Sequence, residues 1–178
     1  MINAFLIEMA FDALLIGLPL LFFIWQKLSA KGELGLKPNR FLKDLTESLL
    51  LFVALFVSSI IISILLSMLN LNDLVVVKDS IKTMISSIPL FIVYALVVRV
   101  FAEEVFFRGF LVKRVGILWS SLAFGLMHAL YGSVAEVIGA FLLGLILAWW
   151  FQKNNSLLQN YIGHFLYNCF IIAILVLS

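Results

Sequence analysis

The sequence predicts an all-α, polytopic membrane protein: about six transmembrane helices in a bundle, with a polar site inside the membrane. Three observations carry that expectation. Hydrophobic residues make up 64% of the chain and charged residues 12%, against roughly 45–50% and 25% in soluble domains; the mean hydropathy is +1.17. Apolar runs recur at lengths that cross a bilayer at ~1.5 Å per residue. The rare polar residues inside those runs fall at similar depths. With 178 residues of this composition there is no room for a separate soluble module. The formal net charge of +2 says little about partners, and no nucleic acid is expected. A lone cysteine, Cys169, cannot form an internal disulfide and reads as a small buried residue. Residues 1–87 are expected to supply N-terminal transmembrane helices and connectors, and 88–178 a core carrying the chemistry, within one integrated membrane domain.

Met1 to Trp25 is apolar and lacks the basic start of a cleaved signal peptide, so it reads as a retained helix. Glu8 and Asp12, four apart, share one face of it. They could point into the bundle, but a place near the outer surface is the simpler expectation. Lys27 to Lys43 is a polar connector broken by Gly32, Gly35 and Pro38. Leu49 to Leu69 is an uncharged span. Asn70 to Ser87 reads as a connector in which Leu74–Val77 is too short to cross, with a surface helix over Asp79 to Ser87. Pro89 suits the first turn of a helix running to about Lys113, and Lys113, Arg114 and Gly116 end it. Ile117 to Tyr131 is a short span closed by Gly132-Ser133. Ala135 to Phe151 follows, with Gly139 and Gly144 as places for close helix approach. Lys153-Asn154-Asn155-Ser156 is a turn, and Leu157 to Leu177 closes the chain.

Basic residues in the loops predict the orientation. Six alternating helices put Lys27, Lys31, Lys37, Arg40, Lys43, Lys113, Arg114 and Lys153 on one side, which is then cytoplasmic, with both termini outside. Trp25, Trp119, Trp149 and Trp150 fall at helix ends on that same side, where an aromatic belt belongs.

The chemistry gathers on Phe101-Ala102-Glu103-Glu104-Val105-Phe106-Phe107-Arg108. A charge at membrane depth costs at least ~2.5 kcal/mol, so such groups usually face a polar cavity and mark function. Glu104 and Arg108 are four apart and can pair along the helix. Glu103 is rotated roughly 100° away and is read as having no partner in its own helix. A structural ion cluster gluing helices together is the bland alternative. The two histidines, His128 and His164, also fall in spans, and Asn168 lies one turn beyond His164. At the helical rise Glu103, His128 and His164 lie ~15, ~16 and ~12 Å from the cytoplasmic side. One site is therefore expected. A carboxylate with a histidine can activate water, and a second histidine with an amide can donate to a developing oxyanion. Serines such as Ser120 and Ser121 have no base at evident spacing. Zinc is the rival, since Glu and His ligate it, but no His-Glu-x-x-His helix occurs. No cofactor or metal is the first expectation.

Glu103-Glu104-x-x-x-Arg108, then Phe124-x-x-x-His128, then His164-x-x-x-Asn168, in order on successive apolar segments, resemble the motifs of the CAAX prenyl protease and bacteriocin-processing family, also called the Abi family. The resemblance covers roughly Ile88 to the carboxyl terminus. It implies an intramembrane glutamate endopeptidase with an all-helical core. Glu103 would activate water with help from His128, His164 and Asn168 would form the oxyanion hole, and Glu104 with Arg108 would order the site. The implied partners are membrane lipid and a hydrophobic or prenylated peptide; the short chain points to a prokaryotic plasma membrane, and the site is expected to be reached from the cytoplasmic half. The alternatives are a non-enzymatic bacteriocin-immunity or regulatory membrane protein, a zinc-dependent protease and a proton-coupled carrier. The substrate and the oligomeric state are not written in the sequence.

Overall fold

A computed structural model describes residues 2–36, 41–88 and 90–177, and the regular elements among them are all helical. Lys37, Pro38 and Arg40 of the first connector, and Pro89, lie outside the described residues. The long helices are α1 (Ile2–Trp25), α3 (Phe41–Met68), α8 (Val134–Asn154) and α9 (Leu157–Leu177), with the shorter α2 (Ala30–Glu33) and α4 (Val75–Ser87) between the first of them. The stretch that carries the carboxylates is built in pieces: α5 (Leu90–Tyr94), a π segment (Ala95–Arg99), α6 (Val100–Glu103) and a second π segment (Glu104–Val112). It continues into α7 (Lys113–Met127), then a 3-10 turn (His128–Tyr131).

Inside α7 the backbone breaks at Gly116, with φ 82° and ψ 177°, a conformation that only glycine enters cheaply. The chain doubles back there. Ser120 Oγ donates to the Phe107 carbonyl at 2.7 Å, and the rings of Phe107 and Phe124 stand 5.1 Å apart. The expected helix end at Lys113–Gly116 is thus a hairpin.

Each of the six expected segments is helical, but fewer than six qualify as spans. Among the described residues four helices are long and apolar enough to cross a membrane: Phe5–Trp25, Phe41–Met68, Val134–Asn154 and Leu157–Leu175. A fifth is reached only if the bent pair Val75–Ser87 and Leu90–Tyr131 counts as one span. The reason is physical. The Leu90–Tyr131 stretch carries Arg99, Glu103, Glu104 and Arg108, and its arm after Gly116 extends only ~22 Å against the ~30 Å of a hydrocarbon core.

Helix α3 packs on α9, and α7 on α8. The first contact closes at Gly163, where a Cβ would stand 2.9 Å from the Leu51 side chain and 3.0 Å from the Ser48 carbonyl. The second closes at Gly125, where a Cβ would stand 2.8 Å from Phe141 Cβ. Gly144 also sits at a close approach, 3.1 Å from Phe124, whereas Gly139 has nothing within 4 Å and lines a cavity instead.

The described part of the first connector is docked. Leu34 is buried, its carbonyl accepts from the Leu157 N–H at 3.1 Å, and Glu33 pairs with Arg114 at 3.3 Å. Asp44 is buried at the start of α3, where Gln159 donates to it at 2.7 Å and Ser156 at 3.3 Å. The surface helix expected over Asp79 to Ser87 begins earlier, at Val75, and buries Val77.

Candidate active site

The junction of α6 with the second π segment delivers Glu103 and Glu104 into the bundle. Single-turn π insertions are frequent at functional sites; here the segment runs for nine residues. Glu104 is fully buried at 0% exposure, and Arg108 at 1%. Their pairing, read from the four-residue spacing, is present at 3.3 Å. The same oxygen, Glu104 Oε1, also accepts from His164 Nδ1 at 2.9 Å. The second carboxylate of the pair therefore holds both a guanidinium and an imidazole.

Phe124 is the apolar hinge of the site. The Arg108 guanidinium lies over its ring at 4.1 Å, and the rings of His128 and His164 stand 4.6 and 6.1 Å from it. Cations over an aromatic face gain from the ring quadrupole, most of all where water is excluded. His128 Nδ1 meets the Phe124 carbonyl at 2.8 Å. A carbonyl only accepts, so Nδ1 carries the proton and Nε2 is left as an acceptor.

Glu103 is 4% exposed and has no hydrogen-bond or ion-pair partner among the described residues. It lines a cavity of about 590 Å³ together with Phe124, His128, His164 and Asn168. The bundle thus brings every expected site residue into one neighbourhood: four open on the cavity beside Phe124, and Glu104 and Arg108 lie behind them. Among the described residues no group of three or more His, Cys, Asp or Glu side chains is arranged to hold a metal ion.

Other residues belong to this neighbourhood that spacing did not single out. Arg99, one turn before Glu103, lines the cavity and pairs with Glu8 at 2.9 Å and Asp12 at 3.4 Å. The Tyr94 hydroxyl donates to Asp12 at 2.7 Å. The expectation that Glu8 and Asp12 sit near the outer surface is corrected: Asp12 is 2% exposed and faces the bundle. A partial signal was present, since an arginine at membrane depth demands a carboxylate somewhere, and Glu8, Asp12 and Glu136 were the acidic residues of the spans outside the motifs. Glu136, Tyr131 and Tyr167 also line the cavity, and nothing in their spacing announced it.

Residues 85–170 match the family model described as type II CAAX prenyl endopeptidase Rce1-like. That stretch of the chain is similar to the family. Glu103, Glu104, Arg108, Phe124, His128, His164 and Asn168 all fall within the match. No curated protein and no solved structure matches the chain. The Rce1-like segment implies a CAAX protease hydrolase, and together with the apolar helices it makes this an integral membrane protein.

Proposed function

We propose that the protein is an intramembrane endopeptidase that hydrolyses a peptide bond in a hydrophobic or lipid-modified peptide with water activated by Glu103. The observation that carries this reading is the state of Glu103. It is a buried carboxylate without a partner among the described residues, open to a cavity shared with both histidines and Asn168. Such a group can take a proton from water held between it and His128 Nε2.

The hydroxide attacks the scissile carbonyl, and negative charge develops on its oxygen. Asn168 supplies an amide donor to that oxygen. His164 donates to Glu104 through Nδ1, so its Nε2 donates to the oxyanion only as an imidazolium, whose charge Glu104 offsets. Arg108 and Phe124 fix Glu104, and through it the ring of His164. The proton held by Glu103 then passes to the leaving amine, which completes an amide hydrolysis with no covalent intermediate and no metal. In this reading the site opens toward the cytoplasmic half of a prokaryotic plasma membrane, and both termini lie outside.

The test uses purified full-length protein and a library of membrane-anchored peptides, prenylated and not, with wild type and Glu103→Gln compared. Cleavage by wild type alone, unaffected by chelators, supports the mechanism. Activity lost on chelation and restored by one divalent metal would instead assign the hydrolysis to zinc-type chemistry. Equal cleavage by folded Glu103→Gln would remove Glu103 from the mechanism.

A further inference from the structure

The cavity holds a second carboxylate without a partner. Glu136 stands in the first turn of α8 and lines the cavity with Glu103, Tyr131 and Tyr167. Its ordinary role would be local. Ser133-Val134-Ala135-Glu136 has the spacing of a capping box, in which the serine hydroxyl takes the Glu N–H and the Glu side chain returns to the serine N–H. Only the first half is made, with Glu136 N–H donating to Ser133 Oγ at 3.1 Å. No return bond forms among the described residues.

Asp73 takes up the neighbouring donors. From the loop before α4 it accepts from Ser133 Oγ at 2.6 Å, from Val134 N–H at 2.9 Å and from Ala135 N–H at 2.9 Å. Asp73 and Ser133 thus serve the Val134, Ala135 and Glu136 N–H groups, and the Glu136 side chain lines the cavity instead of returning to the cap.

The neighbouring cations are committed elsewhere. Arg99 is held by Glu8 and Asp12, and Arg108 by Glu104. The ring N–H of His128 faces a backbone carbonyl, and that of His164 faces Glu104. Glu103, the other carboxylate on the cavity, adds to the negative charge. An uncompensated carboxylate among apolar walls is costly, and a cation brought by a ligand relieves the cost. The remaining walls include Leu55, Ile60, Val77 and Ile81. A long aliphatic side chain tipped by an ammonium or guanidinium suits both features, its stem on the walls and its head on the carboxylate.

We infer that Glu136 is a specificity-determining residue that receives a Lys or Arg side chain of the peptide substrate. The word substrate rests on the endopeptidase reading; the binding of a cationic side chain does not. The test scans one lysine through a labelled hydrophobic peptide, each version paired with norleucine at the same position. Affinity is measured by fluorescence anisotropy in detergent micelles, and cleavage is followed in parallel. At one position wild type should bind the lysine peptide at least about tenfold more tightly. Glu136→Gln should abolish that preference while its affinity for the norleucine peptide is unchanged, which also reports that the cavity is intact. Glu136→Lys should instead favour a peptide with glutamate at that position. A preference that survives in Glu136→Gln, or no preference in wild type, overturns the proposal. Lysine preference without cleavage of any peptide keeps the subsite and removes the endopeptidase reading; cleavage without the preference does the reverse.

Discussion

Arg108 and Arg99 lie nine residues apart on one stretch of chain, and both hold carboxylates, but at different ranges. Arg108 is 1% exposed and pairs with Glu104 four residues before it, beneath the ring of Phe124. Arg99 keeps 16% of its side chain exposed and reaches Glu8 and Asp12 on α1, 91 and 87 residues away. The first pair orders the site from within one helix. The second ties the amino-terminal helix to the core. Glu103 stands between them, one turn after Arg99 and five residues before Arg108, and could have paired with either. Both cations are taken, so Glu103 is left free.

That difference can be broken at four places, and the largest effect is expected at the carboxylate left between the arginines. Glu103→Gln keeps shape and hydrogen-bonding capacity but removes the base. Cleavage should fall by about 10²–10⁴ or more, with the melting temperature nearly unchanged. Parallel turnover assays and thermal melts check this, and normal turnover in a folded variant would end the argument for Glu103.

Arg108→Gln should act on stability as well as rate. It leaves Glu104 charged, fully buried and short of its cation, a situation that costs about 3–5 kcal/mol. Denaturant unfolding in micelles measures the loss. The double variant Glu104→Gln, Arg108→Gln should recover part of it, because no buried charge is then stranded. No recovery would mean that Arg108 acts mainly through its stacking on Phe124.

Arg99→Gln should cost less, about 1–3 kcal/mol, because water still reaches Glu8 and part of the arginine itself. The loss should fall mainly on the contact with α1. Partial proteolysis should then release residues of α1 before those of α8 and α9. An effect equal to that of Arg108→Gln would erase the distinction drawn between the two clusters.

The smallest effect is expected at Asp73, which lies outside the membrane-spanning helices. The Ser133 hydroxyl, then the Ala135 and Val134 N–H groups, lower its carboxyl from 3.8 to about 2. A carboxyl lowered on folding stabilises the native state above its unfolded pKa, and that contribution is lost as pH falls through about 2. Asp73→Asn should therefore be slightly less stable than wild type at neutral pH. The gap should close between about pH 4 and pH 2, as thermal melts across that range would show. A gap that stays constant down to pH 2 would detach Asp73 from the cap of α8.

Much of the site could be read before any packing was known. The pairing of Glu104 with Arg108 and the shared face of His164 and Asn168 follow from helical rise and rotation within single stretches of helix. Gly116 and Gly132 mark real breaks, each with positive φ, because a residue without Cβ enters that region freely. Span counting went less well. It counted the runs before and after Gly116 as two spans, whereas among the described residues four helices qualify by length and composition, or five if the bent pair Val75–Ser87 and Leu90–Tyr131 counts as one.

By itself the sequence determined the all-helical, membrane-type composition, the order of the three motifs and the partner that lies one turn away. Only the tertiary structure decided what crosses between helices. It set Arg99 on Glu8 and Asp12, His164 on Glu104, and Asp73 at the start of α8, and it turned Glu136 into the cavity. The physical reason is that spacing fixes angle and height only along one helix axis. The rotation and approach of one helix against another come from side-chain packing at contacts such as Gly125 on Phe141 and Gly163 on Leu51, which join residues far apart in the chain.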